Sequence, residues 1–453
     1  MPKKKTALTI EERLQQALVP AEEQPYEVPE NWVWVRLGEV NKYVSKSVNP
    51  ISEPDKIFEL YSVPSMADDY PEIIAGSDIG SSKQSVCKED VLLCKINPRI
   101  NRVWKVSQFT DNELIASSEW IIIRNNHINA NYLMYCFQSK YFREFMLSNV
   151  SGVGGSLMRA QPKYVQTYPI PLPPLSEQQR IVESIEELFA KLDEAKERLQ
   201  EVADSFAVRK AAILHKAFTG ELTQQWRLEN GVSDESWEEK TIGEICSSLK
   251  YGTSKKSSDD GEVVVLRMGN LQNGEIDWSN LAYTSDEEDI KKYLLKSGDV
   301  LFNRTNSPEL VGKTSIYRGE IPAIYAGYLI KLDYEKNIVV GDYLNYYLNS
   351  SKAKEYYMQV KTDGVSQSNI NAKKIGEFEI PLPTLPEQDE IVRLIDDLLA
   401  RERKAQQATE QALASIDLMK KSILARAFRG ELGTNKASEA SALELLKQVL
   451  AEN

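Results

Sequence analysis

Two pairs of matching segments, both 210 residues apart, constrain the fold of this chain more than any other feature. IPLPPLSEQQRIV at 170–182 and IPLPTLPEQDEIV at 380–392 are identical at nine of thirteen positions. KAAILHKAFTGEL at 210–222 and KKSILARAFRGEL at 420–432 share eight of thirteen. Because sequence and spacing are both preserved, the chain contains an internal duplication.

The residues between the paired segments predict one long helix in each copy. Apolar side chains recur there in steps of four and three, which is the heptad pattern of a helix that packs on another helix. Prolines precede each stretch, and Gly220 and Gly430 follow it as stop signals. Some 40 helical residues form a rod of about 60 Å. The residues predicted to form the helix-pair seam are Ile181, Ile185, Leu188, Leu192, Leu199, Phe206, Ile391, Ile395, Leu398 and Ile416.

The two helices are expected to form an antiparallel coiled coil. A pseudo-twofold axis would let two copies of the same apolar face meet each other. The alternative is that each helix packs only on its own globular domain. The length of the apolar stripe favours the helix pair.

A weaker duplication precedes each helix. EDVLLCKINP at 89–98 parallels GDVLFNRTNS at 298–307, and NYLMYCFQS at 131–139 parallels DYLNYYLNS at 342–350. Runs of β-branched and aromatic residues, broken by Gly, Asn and Pro, predict two similar mixed α/β domains of about 140 residues each. The predicted segments are an N-terminal helical segment (1–30), a first domain (31–170), a central spacer (171–230), a second domain (231–380), a distal spacer (381–432) and a helical tail (433–453).

In these duplicated segments the chain resembles a known family, the specificity subunits of Type I restriction–modification enzymes. The resemblance covers nearly the whole chain and depends most on the duplicated PLPxLxEQxxIV segments (171–182 and 381–392) and on AFxGEL at 217–222 and 427–432. GDVLFNRTNSPELVGKTS at 298–315 and VLRMGNLQNGEID at 265–277 are also similar to segments of target-recognition domains.

The resemblance implies a non-catalytic, DNA-binding specificity subunit of a complex that methylates DNA and defends against phage. Each target-recognition domain would read one half of a split site in double-stranded DNA, and the helices would set the gap. Two copies of an adenine-methyltransferase subunit would dock on the helices, with restriction and motor subunits joining for cleavage. S-adenosylmethionine and ATP would be bound by those partners, so no cofactor is expected in this chain.

Candidate DNA-contacting residues follow from the chemistry of base edges and phosphates. Arg and Lys suit guanine and phosphate, and Asn and Gln suit adenine. Residues 83–105 also carry six Lys or Arg around Trp104. The candidates in the first domain are Lys83, Gln84, Lys95, Asn97, Arg99, Asn101, Ser156 and Arg159. Those in the second domain are Tyr251, Thr253, Lys255, Arg267, Asn270, Arg304, Asn306, Lys313, Ser366, Gln367 and Asn369.

Composition excludes several other classes of protein. A hydrophobic content of 42% excludes a disordered chain, and a net charge of −12 argues against indiscriminate coating of nucleic acid. The four cysteines are scattered and suggest reduced thiols, not disulfides or zinc. Without a long apolar run, the chain is expected to have no membrane partner and to be cytoplasmic.

Fragments that imitate catalytic motifs are incomplete. VGKTS at 311–315 ends like a phosphate-binding loop, but Ser307 stands where its first glycine belongs. INPRI at 96–100 departs from the Asn-Pro-Pro-aromatic box of amino-methyltransferases at Arg99 and Ile100. We therefore expect neither a catalytic residue nor a metal site. Two alternatives stay open, a protein-binding scaffold with two adaptor domains on a coiled coil and a self-sufficient methyltransferase.

Overall fold

The computed structural model describes residues 8–152, 158–365 and 367–451. The chain divides into two compact units. Unit 1 comprises residues 1–198 together with 412–453, and unit 2 comprises residues 199–411. Each unit therefore holds one predicted domain together with parts of both long helices.

The first half of the chain forms a mixed set of elements. Its helices are α1 (Ile10–Ala17), α2 (Leu37–Val40), α3 (Ala130–Gln138), α4 (Lys140–Ser148), α5 (Pro162–Val165) and α6 (Leu175–Phe218). Its strands are β1 (Val33–Arg36), β2 (Ser47–Val48), β3 (Ile57–Tyr61), β4 (Glu72–Ala75), β5 (Lys83–Ser85), β6 (Val91–Cys94), β7 (Val103–Lys105), β8 (Glu113–Ala116), β9 (Trp120–Ile123), β10 (Val150–Ser151), β11 (Arg159–Ala160) and β12 (Pro169–Leu172).

The second half repeats this alternation of short strands and helices. Its helices are α7 (Gln224–Asn230), α8 (Ile242–Ile245), α9 (Glu287–Tyr293), α10 (Gly341–Leu348), α11 (Ser351–Val360), α12 (Ala372–Gly376), α13 (Leu385–Ala427) and α14 (Ala442–Ala451). Its strands are β13 (Glu238–Thr241), β14 (Cys246–Tyr251), β15 (Val263–Leu266), β16 (Leu271–Gln272), β17 (Glu275–Ile276), β18 (Tyr283–Thr284), β19 (Val300–Asn303), β20 (Thr305–Asn306), β21 (Thr314–Ile316), β22 (Ala323–Tyr325), β23 (Leu329–Tyr334), β24 (Thr362–Asp363), β25 (Ser368–Asn369) and β26 (Glu379–Leu382).

Each unit contains sheets built on a central, fully buried strand. In unit 1, β6 lies between β7 and β9, and a five-stranded sheet has the order β2-β5-β8-β3-β4. In unit 2, a four-stranded sheet has the order β14-β23-β19-β21. The unbroken apolar runs Val91–Cys94 and Val300–Phe302 explain why β6 and β19 are buried on both faces.

The IPLP segments do not lie in the long helices. They form edge strands that pair antiparallel with the first strand of each domain, β1 with β12 and β13 with β26. Val33 lies opposite Leu172, and Glu238 lies opposite Leu382. Proline has no N–H to donate, so it is tolerated in such edge strands. In both domains the last strand therefore pairs with the first. The predicted mixed α/β fold with two similar domains is confirmed.

The long helices pair antiparallel in both units. In unit 1, the start of α6 and the end of α13 share one core, which includes Ile185 and Leu424, and Asp193 lies 2.5 Å from Lys420. In unit 2, the end of α6 shares a core with the start of α13, and Arg209 Nε lies 2.8 Å from Glu402 Oε2. At 44 and 43 residues, α6 and α13 match the predicted length.

The contact stripe of α6 departs from the predicted seam at Leu188. Leu188 is 36% exposed, whereas the neighbouring Phe189 packs against the core of unit 1. A straight helix has 3.6 residues per turn, so its contact stripe drifts away from a strict heptad. Among the other seam residues, Ile181, Ile185, Phe206, Ile391, Ile395 and Ile416 are buried, and Leu192, Leu199 and Leu398 are half-buried.

The glutamate of the duplicated EQ pair is buried in each unit. Glu177 accepts hydrogen bonds from Trp32 Nε1 and Asn435 Nδ2, both at 2.8 Å. Glu387 accepts them from Thr223 Oγ1 and Arg227 Nη1, both at 2.7 Å. In both units the glutamate therefore ties the start of one long helix to the segment that follows the other.

The glutamine of the same pair fastens the proline segment to the first helix of each domain's helical pair. Gln178 donates to the carbonyl of Pro173 and accepts from the N–H of Asn129, both at 2.9 Å. Gln388 donates to the carbonyl of Pro383 at 2.9 Å and accepts from the N–H of Val340 at 2.8 Å. Buried polar groups need such partners, which explains why both copies carry EQ at this position.

The predicted glycine stops and terminal helices are present. Gly220 and Gly430 follow α6 and α13 with φ of +79° and +73°, a conformation that favours glycine. The N-terminal helix α1 packs on the tail helix α14 within unit 1. Along the described ranges, none of the helices combines the length and apolar character needed to cross a membrane.

Candidate nucleic-acid interface

The two domains place a cationic residue at the same point of the fold. Lys95 follows β6, and its Nζ donates to the carbonyl of Ser118 at 2.6 Å. Arg304 follows β19, and its Nη1 donates to the carbonyl of Gly327 at 3.3 Å. The backbone contacts also match. The Lys95 N–H donates to the carbonyl of Glu119, and the Arg304 N–H donates to the carbonyl of Tyr328, both at 3.0 Å.

In each unit, a short strand that precedes the long helix in the sequence, β11 or β25, lies beside this cation. Ile96 forms an antiparallel bridge with Arg159 in unit 1. Thr305 pairs with Asn369 in unit 2. The structure therefore brings together Lys95 and Arg159 in one unit and Arg304 and Asn369 in the other, at equivalent positions 210 or 209 residues apart.

The cluster of unit 2 combines a guanidinium, an aromatic ring and an amide. The Arg304 guanidinium carbon lies 4.8 Å from the centre of the Tyr251 ring. Arg304 Nη2 lies 3.3 Å from Asn369 Oδ1, and the Tyr251 hydroxyl accepts from the N–H of Ala372 at 2.9 Å. Tyr251 is 40% exposed. Such a surface offers a planar cation and stacking area, both of which suit nucleic acid.

The cluster of unit 1 has an acidic member. Arg159 Nη1 lies 3.0 and 3.1 Å from the two carboxylate oxygens of Glu119. Asn97 has the left-handed conformation, with φ of 44°. Its Oδ1 is buried and has no hydrogen-bond partner within the part of the chain that the structure describes. The two units thus share the same backbone pairing at this position but carry different side chains on it.

The remaining candidates of the first domain lie apart or support the fold. Gln84 Nε2 donates to the carbonyls of Ser117 and Trp120, at 3.2 and 3.0 Å. Asn101 Nδ2 donates to the carbonyl of Gln138 at 3.0 Å. Burial lowers the pKa of Lys83, which donates to Ser81. Arg99 is exposed in the turn after Asn97, and Ser156 lies outside the described residues.

The remaining candidates of the second domain form three local groups. In the first, Thr253 is buried and donates to Asp289, while Lys255 Nζ lies 2.7 Å from Asp286. In the second, Arg267 Nη2 lies 3.2 Å from both oxygens of Asn280.

Buried Asn270 joins the second group and donates to the carbonyl of Asn280 at 3.1 Å. In the third group, Lys313 donates to Gln272 Oε1 at 2.8 Å. Asn306 accepts from the N–H of Ser307, Gln367 is exposed, and Ser366 is outside the described residues.

Tyr328 links the Arg304 cluster to the group of Arg267 and Asn270, and it was not among the residues predicted from the sequence. Its carbonyl accepts from Arg304, and its side chain is 49% exposed. It lines a surface cavity of about 300 Å³ together with Arg267, Asn270 and Asn280. The sequence signal that points to it is an aromatic residue directly after Gly327.

The sequence pattern of the Type I restriction modification DNA specificity domain matches residues 29–204 and again residues 234–412. The chain belongs to this family. Each matched specificity domain includes one of the clusters just described and part of one long helix.

Curated relatives are specificity subunits. The chain is 28% identical over 338 residues to the Type I restriction enzyme StySPI specificity subunit of Salmonella potsdam, which covers 72% of both chains. It is 28% identical over 339 residues to the EcoKI specificity subunit of Escherichia coli K12, again covering 72% of each. The MjaVIII specificity subunit of Methanocaldococcus jannaschii is 26% identical over 86% of this chain and 92% of its own.

Solved structures share the fold of this specificity-domain protein. The HsdS subunit of Thermoanaerobacter tengcongensis superposes with a TM-score of 0.66 at 23% identity, over 90% of this chain and all of the other. A chain from a study of complex assembly and conformational transition in a type I R-M system superposes with a TM-score of 0.70 at 22% identity, with the same coverage.

The described residues hold no group of three or more His, Cys, Asp or Glu side chains that could bind a metal ion. All four cysteines are free thiols. Burial raises the pKa of the Cys246 thiol to about 12 and raises that of Cys94 as well.

Proposed function

We propose that this chain is the non-catalytic DNA-specificity subunit of a Type I restriction–modification complex. The target-recognition domain of each unit reads one half of a bipartite site in double-stranded DNA. The paired helices α6 and α13 set the unread gap. The observation that carries this proposal is the equivalence of the Lys95–Arg159 and Arg304–Asn369 clusters on one duplicated frame.

The different chemistry of the two clusters supports two different half-sites. Arginine can donate two parallel hydrogen bonds to guanine, and asparagine can pair with adenine in the same way. The other cationic candidates would contact phosphates and set the register of each domain. Two target-recognition domains with the same backbone arrangement and different side chains would then specify two different half-sites.

The partners follow from the same role. Two copies of an adenine-methyltransferase subunit dock on the helix pair, and restriction and motor subunits join them for cleavage. S-adenosylmethionine and ATP bind to those subunits, and this chain needs no cofactor of its own. The complex acts in the cytoplasm, where it methylates host DNA and cleaves phage DNA.

The test is a footprint of the complex between this chain and its methyltransferase partner on DNA. Two protected half-sites separated by a fixed stretch of arbitrary sequence are expected. Affinity should fall steeply with salt, because each phosphate contact releases counterions. A single continuous protected site would contradict the proposal.

The protein-binding scaffold predicts no salt-dependent affinity for DNA, so the same titration separates it from the specificity subunit. The self-sufficient methyltransferase predicts that the purified chain binds S-adenosylmethionine. Calorimetry with S-adenosylmethionine and the chain alone decides that alternative, and no heat of binding is expected.

A further inference from the structure

One position on the helix pair differs in charge between the two units. In unit 1, Lys420 Nζ lies 2.5 Å from Asp193 and 5.0 Å from the centre of the Phe189 ring. The residues 210 positions away from Lys420 and Asp193 are Lys210 and Arg403. An ion pair of unit 1 is therefore replaced in unit 2 by two cations.

A third cation lies close to these two. Burial, Lys354 and Arg403 all lower the pKa of the Lys210 ammonium. Within the described ranges, no side chain forms an ion pair or a hydrogen bond with Lys210, Lys354 or Arg403. Like charges held close together repel one another, and a bound anion would relieve that repulsion.

The three cations surround two adjoining cavities in unit 2. A cavity of about 570 Å³ is lined by Lys210 and Arg403, with Asn273 and Asn345. A neighbouring cavity of about 310 Å³ is lined by Lys210 and Lys354, and it shares Asn273 with the first. The cations therefore converge on one connected cleft between α6, α11 and α13.

The nearby carboxylates leave the cleft positive. Glu402 is bound to Arg209 at 2.8 Å, and Glu275 is bound to Arg318 at 2.9 Å. Glu309 lines the smaller cavity and is exposed. Three unpaired cations against this one unpaired carboxylate leave an excess of two positive charges, which suits a multivalent anion better than a single carboxylate.

We propose that this cleft of unit 2 is a phosphate-binding site. Its ligand is a phosphate-bearing anion with two or more negative charges, contributed either by successive phosphodiesters of a DNA backbone or by a free phosphate compound. Lys210, Lys354 and Arg403 supply the charge, and the Asn273 amide is placed to donate a hydrogen bond. The site goes beyond the proposed reading of bases and does not depend on it.

Thermal unfolding of the full chain in inorganic pyrophosphate, against chloride at equal ionic strength, tests the site. The wild type should gain about 3 °C or more at saturation. Arg403→Asp recreates the ion pair of unit 1, so it should raise the melting temperature without anion and weaken pyrophosphate binding at least tenfold. Lys404→Asp makes the same charge change at the next residue, which lines neither of the two cavities, and it should keep the wild-type response.

Fluorescence anisotropy with a labelled duplex of arbitrary sequence separates the two sources of phosphate. If DNA supplies it, Arg403→Asp lowers duplex affinity several-fold more than Lys404→Asp. If a free phosphate compound is the ligand, the two variants bind the duplex equally and differ only with pyrophosphate.

Lys210→Gln removes one charge but keeps a polar side chain, and it should likewise weaken pyrophosphate binding. It keeps the test decisive even if the aspartate variant misfolds. Equal responses of wild type, Arg403→Asp and Lys210→Gln to both probes would overturn the proposal.

Discussion

Arg227 Nη1 lies 2.7 Å from Glu387 Oε1 in unit 2, and both side chains are buried. At the equivalent position of unit 1, Glu177 is held by uncharged donors, among them Trp32 Nε1 at 2.8 Å. The two units therefore hold the same buried glutamate in two ways, by an ion pair together with the Thr223 hydroxyl in one and by neutral hydrogen bonds in the other.

Breaking the ion pair of unit 2 should be costly. Arg227→Met leaves Glu387 buried without its charge partner, and such losses cost about 3–5 kcal/mol of unfolding free energy. Urea denaturation of the full chain measures the change. Lys191→Met breaks the exposed pair with Glu187 and should cost less than about 1 kcal/mol. Similar losses for the two variants would show that burial does not matter here.

Adjacent glutamines at the start of α6 should differ sharply. Gln178→Leu leaves the N–H of Asn129 and the carbonyl of Pro173 without their partner, at about 1–3 kcal/mol for each buried group. Gln179 is exposed, and Gln179→Leu should cost less than about 1 kcal/mol. The melting temperatures of both variants check this, and a larger loss for Gln179→Leu would refute the anchoring role of Gln178.

The stability of unit 2 should decrease in acid through Asp333. Its pKa is about 2, below the ordinary value of 3.8. Burial raises this pKa, but hydrogen bonds from Lys250, Lys331 and Ser248 lower it by more. A carboxylate with a depressed folded pKa stabilises the fold above the unfolded pKa and loses that contribution as the pH falls from about 4 to about 2.

Because solvent screens this partly exposed carboxylate, the shift corresponds to about 1 kcal/mol of stability. Asp333→Asn should flatten the dependence of unfolding free energy on pH within this window, as measured by denaturation at pH 3 and pH 6. Asp259→Asn changes an exposed aspartate of the same unit and should keep the wild-type dependence. An unchanged dependence in Asp333→Asn would assign the acid sensitivity elsewhere.

The two clusters should act on separate half-sites. Arg304→Ala should relax the sequence requirement of one half-site, and Lys95→Ala that of the other, with a cost of about 1–3 kcal/mol wherever a base contact is lost. Lys336→Ala, beyond the opposite end of β23 from Arg304, should change neither. Binding of partly randomised duplexes by the methyltransferase complex gives the readout, and equal relaxation of both halves by one variant would argue against modular reading.

The sequence was sufficient to predict the main elements of the fold. The preserved offset of 210 residues predicted the duplication, the two long helices and the two mixed domains, because a repeat of both sequence and spacing permits few other folds. It also predicted that Gly220 and Gly430 end the helices, since positive φ favours glycine. The seam was displaced at Leu188 because a heptad pattern only approximates a straight helix.

The partners of the EQ pair were beyond local pattern reading. Glu177 contacts Asn435, 258 residues away, and Glu387 contacts Arg227, 160 residues away. Because no periodicity connects such residues, the sequence predicted only that the IPLP segment precedes a helix. Likewise Thr253 and Asn270 suggested base readers by type, whereas burial and protein hydrogen bonds occupy their polar atoms.

Mapping of methylated adenines tests the central claim most directly. DNA is sequenced from a host that carries this chain with its methyltransferase partner, in wild-type form and as Arg304→Ala. The wild type should methylate one bipartite motif with a gap of fixed length, and the variant should lose specificity in a single half of it. Methylation at a continuous motif, or a variant that alters both halves equally, would contradict the assignment of one half-site to each unit.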